Sequence, residues 1–242
     1  MTIKQYTAEG GTNGNTVLAA DGGSGSAWAA DATTTGGPVT YSNTQKMRGS
    51  LSYKIDNTSN ADNYLYANYT ASNRVAIRFY IYFSGALSTF TRLIDLQPST
   101  ANNLVSMVVG TNRSLRIDSV APATYPTWTG TGTTTSLIPA LNTWYRVELK
   151  VDNTGGALAA TAQCDIFVGD SLTPYDTTGS SLTGRDYGTA AFEKIYIGRR
   201  SGGVALGNPI YLDDIATSDG ATTFIGPSLD PFTWTKTITI GG

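Results

Sequence analysis

The fold of this protein is decided by the stretch WYRVELKVD, residues Trp144–Asp152. Its side chains alternate between two kinds, and a repeat of two residues is the period of a β-strand, because successive side chains point to opposite faces. One set is apolar: Tyr145, Val147, Leu149 and Val151. The other set is Trp144, Arg146, Glu148 and Lys150. The pattern predicts a strand that packs one face on a core and turns alternating charges towards solvent.

The same alternation recurs along the chain, most clearly in Val75–Phe83, and residues typical of turns separate nearly all the segments that show it. We predict strands at Gly49–Ile55, Asn63–Tyr69, Val75–Phe83, Thr91–Leu96, Leu104–Val109, Ser114–Asp118, Trp144–Val151, Ala162–Val168, Lys194–Gly198 and Ile210–Thr217. Many short strands without a helical period between them predict an all-β protein with almost no helix, built as two antiparallel sheets packed face to face.

Length and composition favour one large domain. The chain has 242 residues, of which 27 are glycine and only 14% are charged, as expected for short strands joined by tight turns. We predict one domain over residues 1–227, with a looped lead-in at Thr7–Pro38, and a C-terminal extension over residues 228–242. The Thr-rich passage Ala121–Ser136 is predicted to be an exposed loop.

Charge and apolar content exclude several classes of function. The net charge of −2, with no basic cluster beyond Arg199 and Arg200, gives no reason to expect nucleic acid as a partner. No apolar run is long enough to span a membrane, and Met1–Gln5 does not open a signal peptide, so we expect synthesis in a cytoplasm. Cys164 is the single cysteine, which rules out an intramolecular disulfide, and its strand pattern predicts a buried thiol.

Several segments carry a resemblance to a known fold family: Gly49–Tyr53, Val75–Phe83, Asn142–Leu149 and Ile210–Ala216. Together they resemble a concanavalin A-like (laminin-G-like) jelly roll over roughly Gly10–Pro227. This resemblance implies a jelly-roll sandwich; it is a likeness of strand pattern and anchor positions and carries no catalytic signature.

A narrower resemblance lies in the opening Glu9–Gly14 and in the ending Leu212–Ile215 with Phe224–Pro227. These segments are similar to jelly-roll proteins carried in the virions of tailed phages, especially those of actinobacterial hosts. The resemblance implies a virion protein, displayed as a capsid decoration or as a minor tail protein. It also implies other capsid or tail proteins as partners, and a homo-oligomer or a repeated subunit in the particle.

Glycoside hydrolysis is the enzyme chemistry to test, because the resembled family includes glucanases. Their motif Glu-x-Asp-x-x-Glu, which places two carboxyl groups beside one bond, does not start at any of the three glutamates, Glu9, Glu148 and Glu193. The chain has no histidine, which removes Ser-His-Asp catalysis and imidazole ligands. The inventory therefore predicts no catalytic residue and a protein that is not an enzyme.

The adjacent carboxylates Asp213 and Asp214 have two interpretations. In a regular strand they point to opposite faces, and the opposite parity of the apolar Leu212 and Ile215 indicates either a bulge or a carboxylate turned inward. The resemblance to laminin-G-like domains implies Ca²⁺ ligands. The alternative, which needs no cofactor, is a carboxylate that accepts backbone N–H groups of a neighbouring loop.

Two surfaces are candidates for contact. Arg78, Tyr80 and Tyr82 alternate with the apolar face of their strand and, with Trp128 in the long loop, would suit either a glycan or a protein partner. One hypothesis is a virion protein that attaches to host or environmental glycans. A free carbohydrate-binding module or lectin that recognises polysaccharide is the alternative.

The C-terminal extension contains a further alternating run, TWTKTITI, with Trp234, Ile238 and Ile240 on one parity. A strand outside a completed sandwich can return to its own sheet or add to the sheet of a neighbouring subunit. We predict a docking strand here.

Overall fold

The computed structural model describes residues 3–19, 28, 38–55, 62–98, 105–119, 133–134, 139–155, 160–177, 182–185, 189–200 and 204–228. Within these ranges the elements are almost all strands, apart from a 3-10 turn at Ala8–Gly10. The strands are β1 Ile3–Tyr6, β2 Val39–Ser42, β3 Ser52–Ile55, β4 Asn63–Ser72, β5 Arg74–Phe83, β6 Thr91–Gln97, β7 Val105–Val109, β8 Leu115–Ser119, β9 Thr133–Thr134, β10 Trp144–Asp152, β11 Ala160–Val168, β12 Asp176–Thr177, β13 Leu182–Arg185, β14 Phe192–Arg199 and β15 Ile210–Asp219.

The strands form two antiparallel sheets that pack as a sandwich, which confirms the predicted fold class. The larger sheet has the order β12-β11-β10-β5-β15-β3-β2, with β1 beside β15 and β13 beside β11. The smaller sheet has the order β4-β14-β6-β7-β8-β9. None of the described residues forms a helix long and apolar enough to cross a membrane.

The core lies between the two sheets and is built from alternate residues of each strand. In β5, every second side chain from Val75 to Phe83 belongs to this core, and β10 contributes its apolar set in the same way. Each large apolar side chain buried here stabilises the fold by roughly 1.5 to 3 kcal/mol before the entropy cost. Cys164 is buried and free, as its strand pattern predicts.

The second face of β10 differs from the prediction. Arg146 and Glu148 are each only 1% exposed, although a charged outer face should meet solvent. The charges are accommodated because Arg146 Nε donates to Glu148 Oε1 at 2.8 Å on the same face of the strand. The outer face of the larger sheet is therefore covered, and its charged side chains form internal contacts.

Glu9, in the Glu9–Gly14 opening, binds the backbone of the turn before β3, which the sequence alone does not predict. Both carboxylate oxygens of Glu9 accept the N–H of Ser50 at 2.9 Å, and one accepts Leu51 N–H at 3.0 Å. Gly49, with φ +58°, permits this approach, since a Cβ there would lie 2.4 Å from the Glu9 carboxyl carbon. The opening thus fastens the N-terminal segment to the turn before β3.

Candidate functional site

The outer face of the larger sheet holds a cluster of charged and phenolic side chains that we name the covered network. Pairing places Arg146 beside Tyr80 and Tyr80 beside Asp213, with Glu148 beside Arg78 in the next row. Loop residues join them from outside the strands. The network comprises Arg48, Arg78, Tyr80, Arg146, Glu148, Asp170, Asp213 and Asp214.

The segment after β15 lies across this network. Gly226 N–H donates to Glu148 Oε2 at 2.8 Å, and the Gly226 carbonyl accepts Arg78 Nη1 at 3.3 Å. Ser228 N–H donates to Tyr80 Oη, also at 3.3 Å. These backbone contacts satisfy side chains that would otherwise face solvent.

The predicted contact surface lies beneath that cover or beside it. Arg78 is 2% exposed, Tyr80 0% and Tyr82 7%. Tyr82 Oη donates to Asn142 Oδ1 at 3.0 Å, and its ring lies 5.3 Å from that of Trp144. A ligand therefore reaches these side chains only if the covering segment moves, and a ligand-binding role for them stays a prediction.

Asp213 holds the loop that precedes β3. Its Oδ2 accepts the N–H groups of Met47 at 2.8 Å and Arg48 at 3.1 Å, and its Oδ1 accepts Asp214 N–H at 2.8 Å. Burial, with the neighbouring charge of Asp214, raises the pKa of the Asp213 carboxyl to about 7, although the three N–H donors favour its ionised form. The contacts are those of a carboxylate that ties down a backbone loop.

Asp214 occupies the bulge that the parity of its neighbours indicated. The register of β15 against β5 shifts between Asp213 and Ala216, and Asp214 has φ +45°. Its Oδ2 lies 2.7 Å from Arg48 Nε. Among the residues described, no group of three acidic, histidine or cysteine side chains is placed to hold a metal ion, so a calcium site at Asp213 and Asp214 stays a prediction.

The remaining predicted site residues, Trp128 in the long loop and Trp234, Ile238 and Ile240 in the C-terminal extension, lie outside the described residues. Their roles stay predictions.

The smaller sheet presents a second cluster, which we name the tyrosine platform: Tyr64, Tyr66, Tyr196 and Arg200. Tyr66 and Tyr196 face each other across β4 and β14, with ring centroids 5.3 Å apart and planes at 26°. Tyr64 meets Tyr196 edge-on at 5.1 Å. The three rings are partly exposed on the outer face of the sheet and form a continuous aromatic surface.

Arg200 completes the platform. Its guanidinium carbon lies 4.1 Å from the centroid of Tyr196 and 5.1 Å from that of Tyr64, within the range of a cation–π contact. Asp95 is only 1% exposed, and its Oδ2 lies 3.2 Å from Arg200 Nη1. Its Oδ1 accepts a hydrogen bond from the Ser106 hydroxyl group. Burial raises the pKa of Asp95, and the adjacent arginines oppose that rise. The carboxylate holds Arg200 against the rings, so the platform is preorganised.

Gly198 makes room for the platform. It pairs with Tyr64 and has φ +134°, and a Cβ at this position would lie 2.4 Å from the Asn63 carbonyl oxygen and 2.8 Å from Tyr64 Cα. Any other residue would push β4 away from β14. Glycine between Tyr196 and Arg200 therefore lets the Tyr64 ring reach both of them.

Sequence reasoning missed this surface. The alternation of Tyr64 and Tyr66 around Leu65 was visible, as was the pair Arg199 and Arg200. The pairing of β4 with β14, two strands far apart in the chain, could not be read from those signals. The two arginines also separate in the structure, because Arg199 is fully buried and donates to the Val204 carbonyl, whereas Arg200 reaches the outer face.

No family model and no curated protein matches the sequence. Solved structures do match the fold. A sialidase from Trypanosoma rangeli aligns over 88% of this chain and 30% of its own, with 14% identity and a TM-score of 0.50. An alginate lyase from a Chlorella virus aligns over 75% of this chain and 89% of its own, with 10% identity and a TM-score of 0.49. A receptor binding domain aligns over 69% of this chain and 38% of its own, with 10% identity and a TM-score of 0.45.

These matches show a β-sandwich that also occurs in carbohydrate-acting proteins, and this chain spans less than a third of the sialidase. The expectation that the chain is not an enzyme is corrected by the first of these matches, because the sandwich fold of this chain is also that of a sialidase. Absence of the glucanase motif and of histidine excludes only two kinds of chemistry, and a β-sandwich is not restricted to either.

Proposed function

We propose that this protein binds carbohydrate polymers through the tyrosine platform. The observation that carries the proposal is the contact of three partly exposed tyrosine rings with a guanidinium that a buried carboxylate holds in place. Aromatic rings stack on the apolar faces of sugar rings, and arginine donates hydrogen bonds to hydroxyl groups. A polymer suits this surface because it is long enough to contact several rings and the guanidinium together.

Carbohydrate is the ligand class that the fold also favours. The sialidase that shares the sandwich fold has been solved in complex with a nononic acid. The platform, rather than the covered network, is the proposed contact surface, because its rings reach solvent while Arg78 and Tyr80 are held beneath Gly226 and Ser228.

The proposed setting is the particle of a tailed phage, as a capsid decoration or minor tail protein that attaches to host or environmental glycans. Its support is the likeness of the Glu9–Gly14 opening and of the Phe224–Pro227 ending to virion jelly-roll proteins. A free carbohydrate-binding module is the alternative setting for the same surface. Copurification with particles from an infected culture favours the first setting, and its failure favours the second.

A glycan and polysaccharide array tests the proposal. The full chain is expected to bind a polysaccharide, and Tyr196→Ala is expected to weaken that binding. The matched control is Tyr175→Ala, which removes a ring that is 64% exposed in the loop after β11, away from the smaller sheet. Equal loss in both variants, or no binding by the wild type, would refute the proposal. Chromatography of the bound glycan afterwards reports any cleavage.

A further inference from the structure

Strand β4 is an open edge of the smaller sheet. It spans ten residues, Asn63–Ser72, and within the described chain it pairs with β14 on one side alone. An exposed strand edge presents unpaired N–H and C=O groups to any other extended chain, and most proteins cover such edges.

The other outermost strands of the described residues are either flanked by another segment or no longer than four residues. In the larger sheet, residues 14–17 lie along β2, with Val17 N–H donating to the Val39 carbonyl at 3.0 Å and Tyr41 N–H donating to the Asn15 carbonyl at 2.9 Å. The opposite edge, β11, is flanked by the short strands β12 and β13. In the smaller sheet, β8 is followed by the two-residue β9. With ten residues, β4 is longer than these outermost strands.

The backbone groups of β4 that point outward can be identified. A Cβ on Gly198 of β14 would lie 2.4 Å from the Asn63 carbonyl oxygen, so the carbonyl of this odd-numbered residue points towards β14. Leu65 lies opposite Ile197, which makes the odd-numbered residues of β4 the ones that bond β14. Lys4 Nζ gives independent support, since it donates from outside the sheet to the carbonyl of Asn68.

The outward N–H and C=O groups therefore belong to Tyr64, Tyr66 and Asn68, and the Asn68 carbonyl among them accepts Lys4 Nζ. No charged side chain occurs anywhere in β4, whose sequence is NYLYANYTAS, and Asn68 and Thr70 are exposed. Lysine within an edge strand is a common guard against pairing with other chains. Lys4 reaches one carbonyl from β1, and the strand itself carries no such guard.

We infer that β4 accepts the C-terminal run of a second copy of this chain, residues 233–240, as an added strand. This run, TWTKTITI, is rich in β-branched residues, carries one charge and matches the length of the open edge. Strand addition supplies affinity through backbone hydrogen bonds, for which β4 offers the unpaired groups.

The run comes from a second copy because its own sheet edge is out of reach. Ser228 is held at Tyr80 on the outer face of the larger sheet, and four residues separate it from Thr233. The five Cα–Cα steps from Ser228 to Thr233 span at most roughly 18 Å. The route past the side or the end of the larger sheet and across to the smaller one is on the order of 20 Å or more, since sheets pack about 10 Å apart and strands lie about 4.8 Å apart. The exchange yields a reciprocal pair or a ring of subunits.

Proline variants in the full chain test the inference by sedimentation velocity. Asn68→Pro removes an outward N–H and leaves the bonds to β14 in place, and Asn68→Ala removes the side chain and keeps the N–H. Thr237→Pro disables the donor run, with Thr237→Ala as its control. The wild type and both alanine variants are expected to associate, and both proline variants are expected to sediment at the 25.5 kDa monomer mass.

A mixture of the two proline variants is the decisive sample. Asn68→Pro retains an intact donor and Thr237→Pro an intact acceptor, so the mixture is expected to form a one-to-one complex with a single junction. Association of Thr237→Pro as strong as that of the wild type overturns the inference in favour of direct pairing between two β4 strands. A monomeric wild type at about 100 µM also overturns it. If Asn68→Pro loses its β circular-dichroism spectrum, Thr237→Pro beside its control Thr237→Ala carries the test. Glycan binding is read separately, so failure here leaves the proposed function standing.

Discussion

Replacing Asp213 by asparagine is expected to change how the stability of the protein depends on pH. Asp213 is buried at the bulge of β15 with a pKa of about 7, whereas a carboxyl group in the unfolded chain titrates near 3.8. The folded protein therefore binds a proton more tightly than the unfolded chain, and the free energy of unfolding falls as pH rises between these two values. One pH unit corresponds to about 1.4 kcal/mol, so the contribution of Asp213 falls by about 4 kcal/mol across this window.

The assay is urea denaturation of the wild type and Asp213→Asn at pH 4, 5, 6 and 7.5. Asparagine does not titrate, and it turns an amide N–H₂ towards the N–H of Met47 or Asp214, so the variant is expected to be less stable at pH 4. The free energy of unfolding of the wild type minus that of the variant is expected to fall by about 4 kcal/mol between pH 4 and pH 7.5. Asp152→Asn is the control. Burial opposes ionisation of Asp152, but hydrogen bonds from Thr154 and Arg74 outweigh this effect and lower the pKa of its carboxyl. The difference in free energy of unfolding between the wild type and Asp152→Asn is therefore expected to stay constant above pH 5. A gap for Asp213→Asn that is constant or widens with pH would contradict the reasoning.

Three further changes follow from the packing. Gly198→Ala is expected to lower the free energy of unfolding by about 1 to 3 kcal/mol in urea titrations, because its Cβ would meet the Asn63 carbonyl and its φ is unfavourable; an unchanged midpoint would argue against the close approach of β4 and β14. Glu9→Gln is expected to cost about 1 to 3 kcal/mol because it weakens the acceptor of the turn before β3, and wild-type stability would show that this contact is dispensable. Added Ca²⁺ or EDTA is expected to leave the melting temperature unchanged, since Asp213 accepts three backbone N–H groups and Asp214 Oδ2 is paired with Arg48; a rise with Ca²⁺ that saturates would establish the metal site instead.

Much of the fold was predictable because it depends on local alternation. Each strand predicted between Gly49 and Thr217 is present within a few residues, and the extra strands that the structure adds, such as β1 and β12, are four residues long or shorter. Strands of that length carry too few alternations to stand out. The bulge at Asp214 was also indicated, since Leu212 and Ile215 could not share a face without it.

The site was less predictable because it depends on pairing and on cover. The polar side chains that alternate with the core residues of β10 and β5 predicted an exposed surface. The local pattern does not indicate that Gly226, far along the chain, donates a hydrogen bond to Glu148. Tyr66 and Tyr196 meet because β4 lies beside β14, a contact between segments about 130 residues apart. Long-range pairing of this kind is set by the whole sheet and leaves no mark in either segment alone.

The central claim is that the tyrosine platform binds carbohydrate, and calorimetric titration with the polysaccharide selected on the array tests it most directly. Loss of one stacked ring removes about 1.4 kcal/mol, so Tyr196→Ala is expected to raise the dissociation constant about tenfold, while Tyr175→Ala leaves it at the wild-type value. The same affinity for all three proteins would contradict the claim and place the carbohydrate contact elsewhere on the molecule.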